Sequence, residues 1–264
     1  SIRPYSRATG SDPIPPEVAW DLWLGPAPAR PYKKDLYHSF NWRGTRDFGT
    51  GAFGDMACHI LDMPYYALGL GSPTEVSCEA PDSTDDQFPN QQTVRMKFAP
   101  TERTVSSGVE LIWYDGGRLP DFKALGLPAT LAPADSKEKQ NQKDEHGCLP
   151  LPKDGAVILV GEGGVLVIPI QWQQPYAFLD GKRKDFENPH KATNHWHDWV
   201  DACLGHGTTR APFQTAALMC EALAVGAVAS RYAGKPMKYD PSKVAFDGIA
   251  DSGAQLKPTW RTGW

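Results

Sequence analysis

Asp55, His59, Asp62 and Tyr66 fall at i, i+4, i+7 and i+11 within NWRGTRDFGTGAFGDMACHILDMPYYALG, residues 41–69. Read as a helix beginning near Phe53, this spacing predicts one polar stripe along one face. An imidazole one turn from a carboxylate suits proton transfer, because an ordinary histidine titrates near neutrality. Met56, Ala57, Cys58, Ile60, Leu61, Met63, Ala67 and Leu68 cover the rest of the circumference. That pattern predicts a helix surrounded by protein, with its stripe aimed at partners, trapped water or a cleft. A His and an Asp one turn apart also serve as a satisfied structural pair, and these two residues alone leave both readings open. The approach to the helix favours a site. Asn41, Trp42, Arg43, Arg46 and Asp47 lead into Gly49, Gly51 and Gly54, so a Gly-rich turn brings polar groups to a helix N-terminus. Free N–H groups there favour anionic or hydroxyl-rich ligands.

A second cluster holds His195 and His197, with His190 nearby. Asn194 can cap a helix in which Trp196, Trp199, Val200, Cys203 and Leu204 form an apolar stripe, with Gly205 as its stop. Positions i and i+2 of a helix point about 200° apart, so His195 and His197 cannot share an ion as an H-E-x-x-H pair does. The five cysteines (58, 78, 148, 203, 220) are scattered, with no C-x-x-C. Buried free thiols are therefore expected, and neither a disulfide framework nor a metal site.

WDLWLGPAPARPY (Trp20 to Tyr32), NWRG, DFGTGAFGDMACHILD (Asp47 to Asp62) and NHWHDWVDAC (Asn194 to Cys203) closely resemble the C-terminal domain of the Gfo/Idh/MocA oxidoreductases. The resemblance is closest to the branch common in planctomycetes and Bacteroidetes and runs to the final WRTGW. It implies an α+β fold and a nicotinamide cofactor, NAD or NADP, held mainly by an N-terminal Rossmann domain. It also implies His59 as general acid/base and Asp55 as the group that orients it or binds an adjacent substrate hydroxyl. Arg43, Asp47 and Thr50 are then expected to hydrogen-bond the substrate, joined by Asn194 and His195 and more weakly by Tyr176. Sugars, polyols or their acids are the implied substrates, and some relatives use the same cofactor transiently to break glycosidic bonds. Thr45 and Arg46 stand where aromatic residues are expected after W-R-G, a departure that touches the substrate side of the pocket.

No strand–Gly-rich-turn–helix unit of the dinucleotide-binding kind is evident. Gly69-Leu70-Gly71 reads as a helix stop, and Gly161-Glu162-Gly163-Gly164 as a hairpin turn. The lead-in SIRPYSRATGSDPIPP lacks a methionine, as though the coding sequence began upstream, and nothing in it reads as a signal peptide. The chain is thus expected to be the substrate and assembly half of an enzyme, inactive without its Rossmann domain. A non-enzymatic carbohydrate-binding or assembly module is the competing reading.

At 264 residues and 41% hydrophobic content, the chain can build a real core. A net charge of −4 provides no basic footprint for nucleic acid or an anionic membrane. One domain is expected over 1–264, with a Pro-rich arm at 1–40 anchored by Trp20, Leu22 and Trp23. Alternation at 76–80, 94–98 and 109–113 predicts strands, and their short connections predict a mostly antiparallel open sheet with helices on one face. The pattern lapses at 116–154, which is expected to be a long loop or flap. Residues 156–160 and 165–168 predict a hairpin buried on both faces, and IQWQQPYAFL a further strand broken or ended at Pro175. Pro212 is expected to open a helix ending near Arg231 and Gly234, with Phe213, Ala216, Ala217, Cys220, Ala224, Ala227 and Val228 on its packing face, and its most apolar run, Ala216 to Ala229, is interrupted by Glu221 and too short to span a bilayer. The uncovered sheet face is expected to pair with a second copy as a homodimer or larger homo-oligomer.

Overall fold

The three alternating runs become strands of one antiparallel sheet in the computed structural model, which describes residues 10–37, 39–153, 155–169, 173–187, 193–257 and 260–263. In chain order the elements are α1 (Trp20–Leu24), α2 (Gly51–Ile60), α3 (Asp62–Leu68), β1 (Pro73–Glu79), β2 (Thr93–Phe98), β3 (Val109–Tyr114), α4 (Lys137–Gln140), β4 (Val157–Gly161), β5 (Gly164–Ile168), β6 (Tyr176–Leu179), β7 (Lys182–Asp185), α5 (His195–Cys203), α6 (Phe213–Ala229), β8 (Met237–Asp240), β9 (Ala245–Phe246) and α7 (Ser252–Leu256). The fold is α+β, with two open antiparallel sheets of order β3-β2-β1-β8-β9 and β4-β5-β6-β7. Its residues group into two compact units, Ser1–Cys58 with Leu68–Arg118 and Leu218–Trp264, and His59–Ala67 with Leu119–Ala217.

In the first unit, register aligns Val76 with Met96 and Met237, and Cys78 with Val94. These side chains are buried on one face of the sheet, each contributing about 1.5–3 kcal/mol where a large apolar group leaves water. Helices cover that face. Phe53 of α2 meets Trp113 edge-on at 5.5 Å and lies over Gly226 of α6, where a Cβ would overlap its ring. Glu221 of α6 accepts hydrogen bonds from Tyr239 at 2.8 Å and Ser72 at 2.7 Å. The helical stretch Phe213–Tyr232 follows Pro212 and ends near Arg231 as expected, but it is longer than its most apolar run, and by length and composition alone it would suffice to cross a bilayer. Its second half instead sits among Phe53, Ser72 and Tyr239. The buried side chains are Met219, Ala222, Leu223, Val225, Ala227 and Ala229, whereas Phe213, Cys220 and Ala224 are exposed. The expected packing face is thus largely corrected, because a helix apolar all round carries no stripe to read.

The arm is anchored by Trp20 and Trp23, whose stacked rings meet Tyr37. Leu22 points outward, 69% exposed, contrary to expectation. Arg261 fastens the chain's other end to α1, donating to the carbonyls of Gly25 and Asp21.

The second unit contains β4–β7. From the segment expected as a loop or flap, Phe122, Leu127, Leu131, Cys148 and Leu151 pack onto Val165, Val167, Tyr176 and Phe178. Among its described residues only a 3₁₀ turn at Ala129–Leu131 and the four-residue α4 are regular. The hairpin has the expected turn, but Val160 is exposed and β4 is at most half-buried, so it is not buried on both faces. Pro175 precedes β6 and does not end it. Residues 170–172, in the IQWQQ stretch, and His190 lie outside the described residues.

Candidate functional site

The helix that carries Asp55 and His59 is shorter and more exposed than its composition predicts. Pro64 has no N–H to give the Ile60 carbonyl, so α2 stops at Ile60 and α3 restarts at Asp62. Gly69, at φ +62°, then ends α3 as expected. Phe53, Ala57, Leu61 and Tyr65, at i+4 intervals, are the buried stripe. Asp62, Met63, Tyr66 and Ala67 are exposed, His59 also faces solvent, and Asp55 is half-buried. The helix is therefore only partly enclosed, and its polar stripe is open to solvent.

Close approaches fix the start of α2. A Cβ at Gly51 would overlap the Phe88 ring, one at Gly54 the Thr50 side chain, and one at Gly49 the backbone of Arg43. The last of these lets the 3₁₀ turn Asn41–Gly44 lie against the approach to α2. Arg43 Nε then donates to Asp55 Oδ1 at 3.2 Å, and its guanidinium lies 4.1 Å from the Phe40 ring centre and 4.6 Å from that of Trp42. Arg43 and Asp55 are thus brought together. No hydrogen bond joins Asp55 to His59.

Asp47 is held by Arg30, a partner that the sequence reading missed. Arg30 also reaches Asp86 at 3.3 Å and lies over the Phe48 ring. An arginine in a Pro-rich arm, 17 residues upstream of Asp47, carried no local signal of this pairing. Thr50 is exposed just before α2. Thr45 and Arg46, at the departure from the expected aromatics, are used in packing. Thr45 is buried and accepts from Gln87 Nε2, while Arg46 lies over Phe88 and donates to Ser83, Ser230 and the Thr84 carbonyl. Burial, reinforced by Arg231, lowers the Arg46 pKa to about 10.

In the second unit, Asn194 caps α5 as expected, its Oδ1 accepting from the amides of Trp196 and His197. His195 is exposed in the first turn, with its ring 4.6 Å from that of Trp196. The apolar stripe of α5 is not packed, since none of its residues is buried. Tyr176 is buried in the core of this unit with its ring beneath Arg183.

Of the five cysteines only Cys78 and Cys148 are buried, while Cys203 and Cys220 are exposed. Burial pushes the Cys78 thiol up to about 12, which makes it inert. Among the described residues no three His, Cys, Asp or Glu side chains are grouped to hold a metal ion. Nor do the described residues fit a dinucleotide. Every strand pairing described is antiparallel, and the Gly-rich turn before α2 follows a 3₁₀ turn and an isolated Thr45–Gln87 bridge, with Phe88 against Gly51.

The segment that builds α1 through the first half of β3, and with it Arg43, Asp55 and His59, decides the comparison. Residues 6–111 match the Gfo/Idh/MocA family model described as oxidoreductase family, C-terminal alpha/beta domain. The match covers less than half of the chain and leaves out α5 and the second sheet. No curated protein matches the chain.

Proposed function

We propose that this chain is the substrate-binding and proton-transfer half of a nicotinamide-dependent oxidoreductase acting on a sugar, a polyol or a related hydroxylated compound. One observation carries the reading. Within the segment that matches the oxidoreductase family, His59 is open to solvent one helical turn from a carboxylate held in place by Arg43.

His59 is the general acid/base that exchanges the proton of the reacting hydroxyl. Asp55, with one oxygen on Arg43, offers its other oxygen to a neighbouring substrate hydroxyl or to His59 when substrate is bound. Arg43, Asp47, Thr50, Asn194 and His195 are the proposed hydrogen-bonding partners of substrate. NAD or NADP, held by a Rossmann domain as in full-length relatives, supplies the hydride acceptor, and the chain alone is inactive. Residues 1–264 act as one substrate-binding and assembly region of the planctomycete and Bacteroidetes type, with self-association through the open face of the first sheet.

The absence of an Asp55–His59 hydrogen bond favours a second reading, a binding or assembly module without catalysis. Incubating the full-length protein with NAD(P) and a panel of sugars and polyols separates the two. Reduced nicotinamide formed with at least one substrate supports the oxidoreductase, and saturable sugar binding without turnover supports the module.

A further inference from the structure

Two arginines of the first unit lie against aromatic rings and differ in what they hold. Arg30, over the Phe48 ring, is shared by two carboxylates, donating to Asp47 through Nη2 and to Asp86 through Nη1 at 3.3 Å. Arg43, against Phe40 and Trp42, holds one, its Nε donating to Asp55 at 3.2 Å. A guanidinium carries five N–H donors, so four remain on its two terminal nitrogens. Among the described residues those nitrogens have no hydrogen-bonding partner, and the Arg43 side chain is 25% exposed.

We infer that the second carboxylate of Arg43 comes from the substrate, so that the compound bound beside Asp55 is a sugar acid, uronic or aldonic, and Arg43 selects it over the neutral sugar. The two terminal nitrogens of a guanidinium present parallel N–H donors at the spacing of two carboxylate oxygens, and such charge-assisted pairs are roughly twice as strong as bonds between neutral groups. Contacts with both rings already restrict the Arg43 side chain, so it has less freedom left to lose when a ligand binds. Asp55 offsets part of the Arg43 charge. That suits a monoanion, as at Arg30, better than a phosphate dianion. The inference deepens the proposed function: it rests on Arg43 contacting substrate and is independent of the proton transfer assigned to His59.

Isothermal titration calorimetry of the full-length protein tests it, with NADH or NADPH bound, since neither takes up hydride from a bound alcohol. The probes are glucuronate and gluconate against glucose, galacturonate against galactose, and glucose 6-phosphate as the dianion. At least one acid is expected to bind about tenfold or more tightly than its neutral parent. Arg43→Gln is expected to bring that ratio close to one. Loss of support for Asp55 alone weakens acid and neutral sugar alike and leaves the ratio where it was. Should this variant fail to fold, Arg43→Lys, which keeps the charge without the fork, is expected to lower the ratio by about threefold or more. Acids bound no more tightly than their neutral parents, glucose 6-phosphate bound more tightly than every acid, or a ratio unchanged in the folded variant overturns the inference. Turnover of neutral sugars without preference for acids leaves the oxidoreductase reading standing and overturns this one, and preference for acids without turnover does the reverse.

Discussion

Arg43 donates to Asp55 across 3.2 Å while its guanidinium is flanked by the rings of Phe40 and Trp42. The carboxylate next to His59 on α2 is thus positioned by a residue from the preceding turn and not by the histidine itself. Both side chains are partly exposed, so solvent discounts the ion pair, while the aromatic contacts add their own contribution. Arg43→Ala is expected to destabilise the protein by about 1 kcal/mol. Arg43→Lys is expected to recover less than half of that, because an ammonium lacks the planar fork that stacks on rings. Urea unfolding of both variants checks this, and full recovery by lysine contradicts it.

Two glycines mark contacts on which α2 depends. Gly49→Ala sets a methyl against the backbone of Arg43, which cannot rotate away, whereas Gly226→Ala meets the Phe53 ring, which can shift in part. Overpacking of this kind costs about 1–3 kcal/mol. Both substitutions are expected to lower the melting temperature, Gly49→Ala the more. Equal stability of either variant and the unaltered protein sinks this account of α2.

Asp144 ties down the covering segment of the second sheet. Burial tends to raise its pKa, but hydrogen bonds from the Thr130 hydroxyl and the amides of Cys148 and His146 outweigh it and hold the group below the usual carboxylate range. A carboxyl with a lowered folded pKa stabilises above its unfolded value, and that contribution disappears as the pH falls through the folded pKa. Asp144→Ala is therefore expected to cost about 1 kcal/mol near pH 7 through its lost hydrogen bonds, and progressively less below about pH 4. Denaturant titrations at several pH values measure the difference, and a cost independent of pH contradicts the assignment.

The cap of α5 gives a local prediction. Asn194→Ala removes an acceptor for two amides, typically about 1 kcal/mol of helix stability. Since α5 buries no side chain, faster amide exchange across 195–203 is expected with little change in global melting. An unchanged exchange rate argues against the cap.

The sequence disclosed the first sheet because Val76, Val94 and Trp113 alternate with polar neighbours, and period two leaves few other options. The same rule failed on α6, which is apolar all round, and on residues 119–151, whose apolar side chains pack from irregular backbone without any period. Pro64 was visible in the sequence, yet the polar stripe running past it suggested one continuous helix. At the candidate site, Asp55 and His59 were legible from helical spacing. The partners that hold the carboxylates, Arg43 for Asp55 and Arg30 for Asp47, follow from tertiary approach, which spacing along one helix does not encode.

The central claim is that His59 moves a proton in a nicotinamide-dependent reaction. Its most direct test is the turnover number of full-length protein carrying His59→Ala or His59→Gln, measured from pH 5 to 9 with the substrate found by the panel. General acid–base catalysis contributes about 10²–10⁴-fold, so kcat is expected to fall by that factor in both variants, with KM changed little. A kcat within twofold of the unaltered enzyme contradicts the account.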